Sequence, residues 1–206
     1  NKERLKTGLE MMGVAADETA LDRFEAFHAI LDEYNARMDL TAVLDEDERV
    51  DRHDLDSAAP LAHGLLAQGA KVIDVGTGSG ILAIGAAMLG AKDVLAIDID
   101  PVAVRVAKEN IEHNHLSDRV RAVEGNLLAS SDGVCDLCVA NIIADVICMF
   151  AQPLVDHIVP GGLFICSGII KEREQDVVNA LTAADYTILE TKRKGEWVAM
   201  LSRRKK

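Results

Sequence analysis

Apolar residues along this chain follow two different rhythms. Between residues 18 and 38 they fall at Leu21, Phe24, Phe27, Ile30, Leu31, Tyr34 and Met38. Steps of three and four predict an amphipathic helix with one buried face. A second helix is predicted from the acidic stretch at 45–48 through Arg52 and His53 toward Leu66. Period-two runs begin only at Lys71. From there the pattern predicts strands at 71–75, 94–98, 120–123, 135–140 and 163–167, with helices at 81–89, 101–114, 144–157 and 172–184 between them. Pro160-Gly161-Gly162 reads as a turn before the fifth strand. Two final strands, 187–191 and 197–202, are joined by a polar turn at 192–196. Strands alternating with helices predict an α/β fold with a doubly wound, mostly parallel sheet covered on both faces. The last two strands are linked too tightly for a crossover helix, so the C-terminal strand must run antiparallel. The domains expected are a helical N-terminal segment, 1–66, and an α/β domain, 67–206.

Composition narrows the class. The 206 residues are 49% hydrophobic and 27% charged, an ordinary globular balance. No apolar run approaches the ~18 residues of a membrane span, and the charged start lacks the apolar stretch of a secretory signal. Four cysteines in this length do not suggest a disulfide scaffold, so a cytoplasmic protein with reduced thiols is expected. The net charge of −12 is uneven: residues 1–70 hold 7 Lys and Arg against 16 Asp and Glu. That front is a poor surface for nucleic acid, where Lys and Arg must neutralise phosphates. It suits a basic protein partner better, or serves only for solubility.

The candidate chemistry lies where the first strand runs into Gly76-Thr77-Gly78-Ser79-Gly80 and a helix follows. Glycines there let a nucleotide-like ligand approach the backbone. Asp98 ends the next strand, 18 residues past Gly80, where a carboxylate can accept from ribose hydroxyls. Two cofactor classes fit. A dinucleotide motif is satisfied by Gly78-Ser79-Gly80-Ile81-Leu82-Ala83, but starts late and leaves Asp74 without a role. S-adenosylmethionine uses Asp74 well, because its amino-acid end carries an ammonium, and it has no pyrophosphate to place on a helix N-terminus.

Longer stretches add a resemblance. Asp74-Val-Gly-Thr-Gly-Ser-Gly-Ile-Leu-Ala-Ile, Ala96-Ile-Asp-Ile-Asp-Pro-Val-Ala-Val-Arg-Val-Ala-Lys-Glu-Asn and Ala140-Asn-Ile-Ile-Ala-Asp-Val-Ile resemble the PrmA family. So do Pro160-Gly-Gly, Ser167-Gly-Ile-Ile and Gly195-Glu-Trp-Val-Ala, in the same order. The resemblance spans about 70–206. It implies a Rossmann-like methyltransferase sheet and an enzyme that methylates amines of a large-subunit ribosomal protein with S-adenosylmethionine. It further implies that Asp74, Gly76, Thr77, Gly78 and Gly80 line the methionine end of the cofactor. Asp98 would hold the ribose, Ile99 would pack on the adenine, and Asn126 and Leu127 would edge it. Asn141 would sit beside the transferring methyl as the catalytic orienter. Asp is expected where Asn126 stands, although an amide oxygen can still accept from the adenine amino group.

Upstream, Leu31-x-x-Tyr34-Asn35-x-x-Met38-Asp39-Leu40-Thr41-Ala42 and Arg52-His53-x-Leu55-Asp56-Ser57 resemble the GidB/RsmG family, which methylates a guanine in small-subunit ribosomal RNA. The chain therefore reads as a chimera of two methyltransferase families, with a junction near residue 70. Other functional readings stay open: an rRNA methyltransferase, a cofactor-binding protein without turnover, and, last, a nicotinamide oxidoreductase. The partners expected are a basic ribosomal protein or the ribosome, with no membrane and no metal.

The remaining candidates have plainer readings. Arg52, His53 and Asp56 suit a salt-bridged helix face. Cys135 and Cys138 look like half a zinc site, but three residues apart on a strand they should face opposite ways. His113 and His115 read as solvated, Trp197 as core packing for the final strand, and Arg203-Arg204-Lys205-Lys206 as a solvated end.

Overall fold

The protein is seen as a computed structural model that describes residues 2–11, 18, 21, 22, 66–126, 128 and 133–206. The first of these form a helix, α1 (Lys2–Met11), inside the N-terminal segment expected to be helical, where periodicity marks no individual helix before residue 18. Its ten residues include Gly8 and many charges, too short and polar for periodicity to reveal. Leu5 and Leu21 are buried, and Lys2 pairs with Glu18 and Asp22. The helices expected at 18–38 and on toward Leu66 lie almost wholly outside the described residues. So do Arg52, His53, Asp56 and most of the segment that resembles GidB/RsmG.

From Lys71 the elements run β1 (Lys71–Val75), α2 (Ile81–Met88), β2 (Asp93–Asp98), α3 (Pro101–His113), β3 (Val120–Glu124) and β4 (Cys135–Asn141). They continue with α4 (Ala144–Leu154), β5 (Ile158–Ile170), α5 (Glu174–Ala183), β6 (Tyr186–Lys194) and β7 (Trp197–Arg204). The seven strands form one sheet in the order β3-β2-β1-β4-β5-β7-β6. The pairings from β3 to β5 are parallel, and β7 runs antiparallel to both of its neighbours.

Parallel strands covered on both faces must be apolar on both, and β1 and β4 meet that demand. On one face Val72, Val94, Leu137 and Val139 pack under α2 and α3 through Ala83, Ile84, Ala87, Ala107 and Ile111. On the other, Ile73, Cys138, Ala140 and Phe164 pack under α4 and α5 through Ile147, Phe150, Val177 and Leu181. Phe164 anchors that second layer, edge-on to Phe150 at 5.7 Å and tilted against Tyr186 at 6.1 Å.

Four local expectations need correction. Pro160-Gly161-Gly162 is not a turn that precedes a short strand but an irregularity inside the 13-residue β5. Pairing steps from Cys135↔Ile158 to Leu137↔Leu163, so β5 loops out extra residues and then resumes the ladder. Cys135 and Cys138 do not point to opposite sides; both lie in the core layer beneath α4 and α5. Burial pushes the Cys135 thiol up to about 12. The β6–β7 turn is only Gly195-Glu196, because Lys194 already pairs with Trp197. Gly195 has φ +61, as a two-residue hairpin with Gly first requires. Finally, Trp197 is no core residue. At 57% exposed it stands at the start of β7, in register with the exposed Ile170.

Candidate functional site at the carboxyl edge of the sheet

β1 has β2 on one side and β4 on the other, and the chain winds outward in both directions from this point. Open α/β sheets bind ligands at such a switch, outside the carboxyl ends of the strands. The loop after β1, the end of β2 and the turn after β4 all meet there.

Asp74 anchors the loop from below. It is wholly buried, and its Oδ2 accepts from Thr77 Oγ1 at 2.6 Å and from Ala83 N at 3.1 Å. The second bond explains how α2 starts without a conventional cap. Gly80 occupies the N-cap position with no side chain, so the strand carboxylate beneath takes an orphan N–H of the first turn. Among the described residues Asp74 Oδ1 has no partner. Burial pushes the carboxyl up to about 6, the nearby Asp98 charge adds to this, and the Thr77 and Ala83 bonds pull the other way.

The loop itself is pinned by backbone bonds. Gly76 N and Thr77 N both donate to Ile97 O, at 2.8 and 3.0 Å, and Gly80 N donates to Thr77 O at 2.9 Å. Asp98, half-buried at the end of β2, accepts from Gly78 N through Oδ2 at 2.9 Å and from Asp100 N through Oδ1 at 3.0 Å. A carboxylate has about four lone-pair positions, so two such bonds leave capacity to accept hydroxyls. Asp100 caps α3 by accepting from Val102 N at 2.8 Å, with Pro101 in the first turn. Ile99, between the two acids, is 70% exposed. Asn126 is exposed just past β3, whose end is tied to β2 by Gly125 N donating to Asp98 O at 2.9 Å. Leu127 lies outside the described residues.

Asn141 ends β4 in register with Ser167. It is exposed, and the turn that follows it folds onto the glycine loop. A Cβ on Gly76 would lie 2.4 Å from Ile142 Cγ2, so only glycine, here at φ +72, leaves room for that contact. On its other side the turn rests on a bulge in β5, where Cys166 to Ile169 oppose only Met200 to Val198. Gly168 sits in the bulge at φ +79, and a Cβ there would fall 2.8 Å from Ile142 O and 2.9 Å from Asn141 Oδ1. The Asn141–Ile142 turn thus packs against Gly76 of the loop after β1 through Ile142, and against Gly168 of β5 through both residues.

The expected residues Asp74, Gly76, Thr77, Gly78, Gly80, Asp98, Ile99 and Asn141 therefore share one edge, with Asn126 beside Asp98 at the end of β3. Thr77 is turned inward, its hydroxyl engaged with Asp74. Two further residues stand in the quoted motifs but were given no role there. Asn110, on the buried face of α3, donates through Nδ2 to Ser79 O at 2.8 Å and so braces the glycine loop from the helix side. Its signal was an asparagine in helical register with Val106, Ala107 and Ile111, all buried. Gly168 is the other; its role in the bulge shows only once β5 and β7 are paired. Cys135, Cys138, His113 and His115 lie elsewhere, and among the described residues no group of His, Cys, Asp and Glu is placed to hold a metal ion.

The residues fit a nucleoside-bearing ligand with a cationic end. Among the described residues a Cβ on Gly78 would meet nothing within 4 Å, so toward them the loop presents bare backbone. The unpartnered Asp74 Oδ1 lies beneath it, and the exposed Ile99 offers an apolar face beside the Asp98 carboxylate.

Comparison with known proteins agrees with this geometry. A family model described as ribosomal protein L11 methyltransferase (PrmA) matches residues 59–205. The ribosomal protein L11 methyltransferase of Pelotomaculum thermopropionicum is 52% identical over 137 residues, covering 66% of this chain and 44% of that protein. That of Carboxydothermus hydrogenoformans is 47% identical over 136 residues, covering 66% and 45%. The chain thus spans less than half the length of these curated relatives. The crystal structure of a ribosomal protein L11 methylase from Lactobacillus delbrueckii subsp. bulgaricus matches with a TM-score of 0.68 at 35% identity, over 75% of this chain and 80% of that one. With its sheet order, its glycine loop and these matches, the chain belongs to the ribosomal protein L11 methyltransferase (PrmA) family.

Proposed function

We propose that this chain binds S-adenosylmethionine at the carboxyl edge of β1, β2 and β4 and transfers its methyl group to an amine of a ribosomal protein. The observation that carries this reading is the contact of Ile142 with Gly76, which joins the turn bearing Asn141 to the glycine loop. Asp98 would accept from the ribose, Ile99 and Asn126 would flank the adenine, and the loop over Asp74 would receive the amino-acid end. When bound, the cofactor supplies a methyl group activated by a sulfonium.

The protein's own work is alignment and desolvation. In-line transfer needs the nucleophile held on the methyl axis, and orientation alone removes several kcal/mol of barrier, out of roughly 7–11 at the limit. Asn141 Oδ1 can accept from an incoming amine and turn its lone pair toward the methyl. An amine with an ordinary value near 10.4 must also shed its proton. The exposed apolar residues Ile143, Ile170 and Trp197 stand at this edge, and loss of hydration beside them favours the neutral form. A dinucleotide is disfavoured on the same geometry. Its pyrophosphate would approach an α2 N-terminus where one N–H, that of Ala83, already donates to the Asp74 carboxylate, whose negative charge opposes a phosphate.

Titration calorimetry with S-adenosylhomocysteine tests the reading. The protein should bind it, Asp98→Ala should weaken binding at least tenfold, and Asn141→Ala should keep binding but lose methyl transfer. Binding of a dinucleotide with no response to S-adenosylhomocysteine would overturn it.

A further inference from the structure

Arg173 lies in the short turn Lys171–Arg173 between β5 and α5 and grips two carboxylates at once. Its Nη2 donates to Asp145 Oδ1 at 2.6 Å, and its Nε donates to Asp176 Oδ2 at 2.6 Å. Asp145 is the second residue of α4, four positions past Asn141. The N-cap of α4, Ile143, provides no side-chain hydrogen bond. Backbone bonds tie the turn from Asn141 to Ala144 to the helix, through Val146 N and Ile147 N on Ile143 O, and to β5, through Ile142 N on Ser167 O, and side-chain contacts add to these from outside. Gly76 meets it on one side, and Gly168 lies under it on another. Arg173 reaches its far end through Asp145.

We propose that Arg173 is a positioning residue for methyl transfer, acting through Asp145 to keep the Asn141 turn in register with the glycine loop. The proposal rests on the reading above that Asn141 orients the acceptor amine. Asp176 fixes the guanidinium plane, so that Nη2 is aimed at Asp145; a lysine ammonium can meet two carboxylates, as Lys2 does, but lacks the planar fork that fixes their directions. The Arg173 and Asp145 side chains are 35% and 68% exposed. Exposed pairs add little to global stability, so a loss of turnover is separable from a loss of folding.

The test uses the full chain as wild type, Arg173→Met, Asp145→Asn, their double variant and Arg173→Lys. Three quantities are measured: kcat and KM for transfer from S-adenosylmethionine to unmethylated ribosomal protein L11, the affinity for S-adenosylhomocysteine, and the thermal midpoint. Each single substitution should lower kcat about fivefold, the factor that corresponds to a strong exposed ion pair. KM and S-adenosylhomocysteine affinity should stay within twofold. The double variant should be no worse than either single one, and Arg173→Lys should fall between wild type and Arg173→Met. A kcat for Arg173→Met within twofold of an active wild type, or losses that multiply in the double variant, would overturn the proposal while leaving the methyltransferase reading intact. A wild type that binds S-adenosylhomocysteine but transfers nothing to L11 would remove that reading, and this proposal with it.

Discussion

Replacing Gly76 and Gly78 separately by alanine distinguishes two roles that adjacent glycines play in one loop. Gly76 has φ +72 and a methyl added there would lie 2.4 Å from Ile142 Cγ2, far inside the ~3.5–4 Å of a carbon contact. Ile142 is β-branched, so its Cγ2 cannot swing away without a change of χ1 or a shift of the turn. The left-handed backbone costs an alanine about 1–2 kcal/mol, and forcing in the methyl adds about 1–3 kcal/mol. Gly78 has φ +55 with nothing within 4 Å among the described residues, so against these alanine meets only the backbone cost. Gly76→Ala should therefore be the less stable by about 1–3 kcal/mol, or several degrees in Tm at about 2–4 °C per kcal/mol. S-adenosylhomocysteine affinity should show the opposite order, because the Gly78 methyl enters the space open to the ligand. Urea unfolding and calorimetry on the ligand-free proteins measure both. Equal stability of the two variants would refute the packing of Ile142 on the loop.

Two further outcomes follow from burial. Asp74 rises from 3.8 to about 6 on folding, so between about pH 4 and 6 the folded protein keeps a proton that the unfolded chain has lost. Stability attributable to this group therefore falls as pH rises through that window, by up to about 3 kcal/mol. Asp74→Asn should gain on wild type by that order between pH 4 and 7 in urea titrations; a difference that does not change with pH would contradict it. Trp197→Ala should change unfolding free energy by less than about 1 kcal/mol, since more than half of the side chain is exposed. A loss of 3 kcal/mol or more would return the residue to the core.

What was legible in the sequence was local. The short runs that became β1 and β2 alternate with helices, and Gly76 to Gly80 with Asp98 marked the carboxyl edge of the sheet before any strand was paired. The hidden features depend on pairing. The length of β5 was masked by Pro160-Gly161-Gly162, which looks like a turn until Leu163 is seen to pair with Leu137. The shared core layer of Cys135 and Cys138 was hidden because strict period two separates them. Trp197 was assigned to the core by its size, whereas its place at the tip of an edge hairpin leaves it in solvent. Asn110 and Gly168 serve the site through neighbours distant in sequence, Ser79 and Asn141, and only the packed sheet brings these together.

The most direct test of the central claim is transfer of labelled methyl from S-adenosylmethionine to undermethylated ribosomes, followed by separation of protein from RNA. The account predicts label in a ribosomal protein, lost with Asn141→Ala while S-adenosylhomocysteine binding persists. Label confined to RNA, or protein labelling that survives Asn141→Ala unchanged, would contradict it.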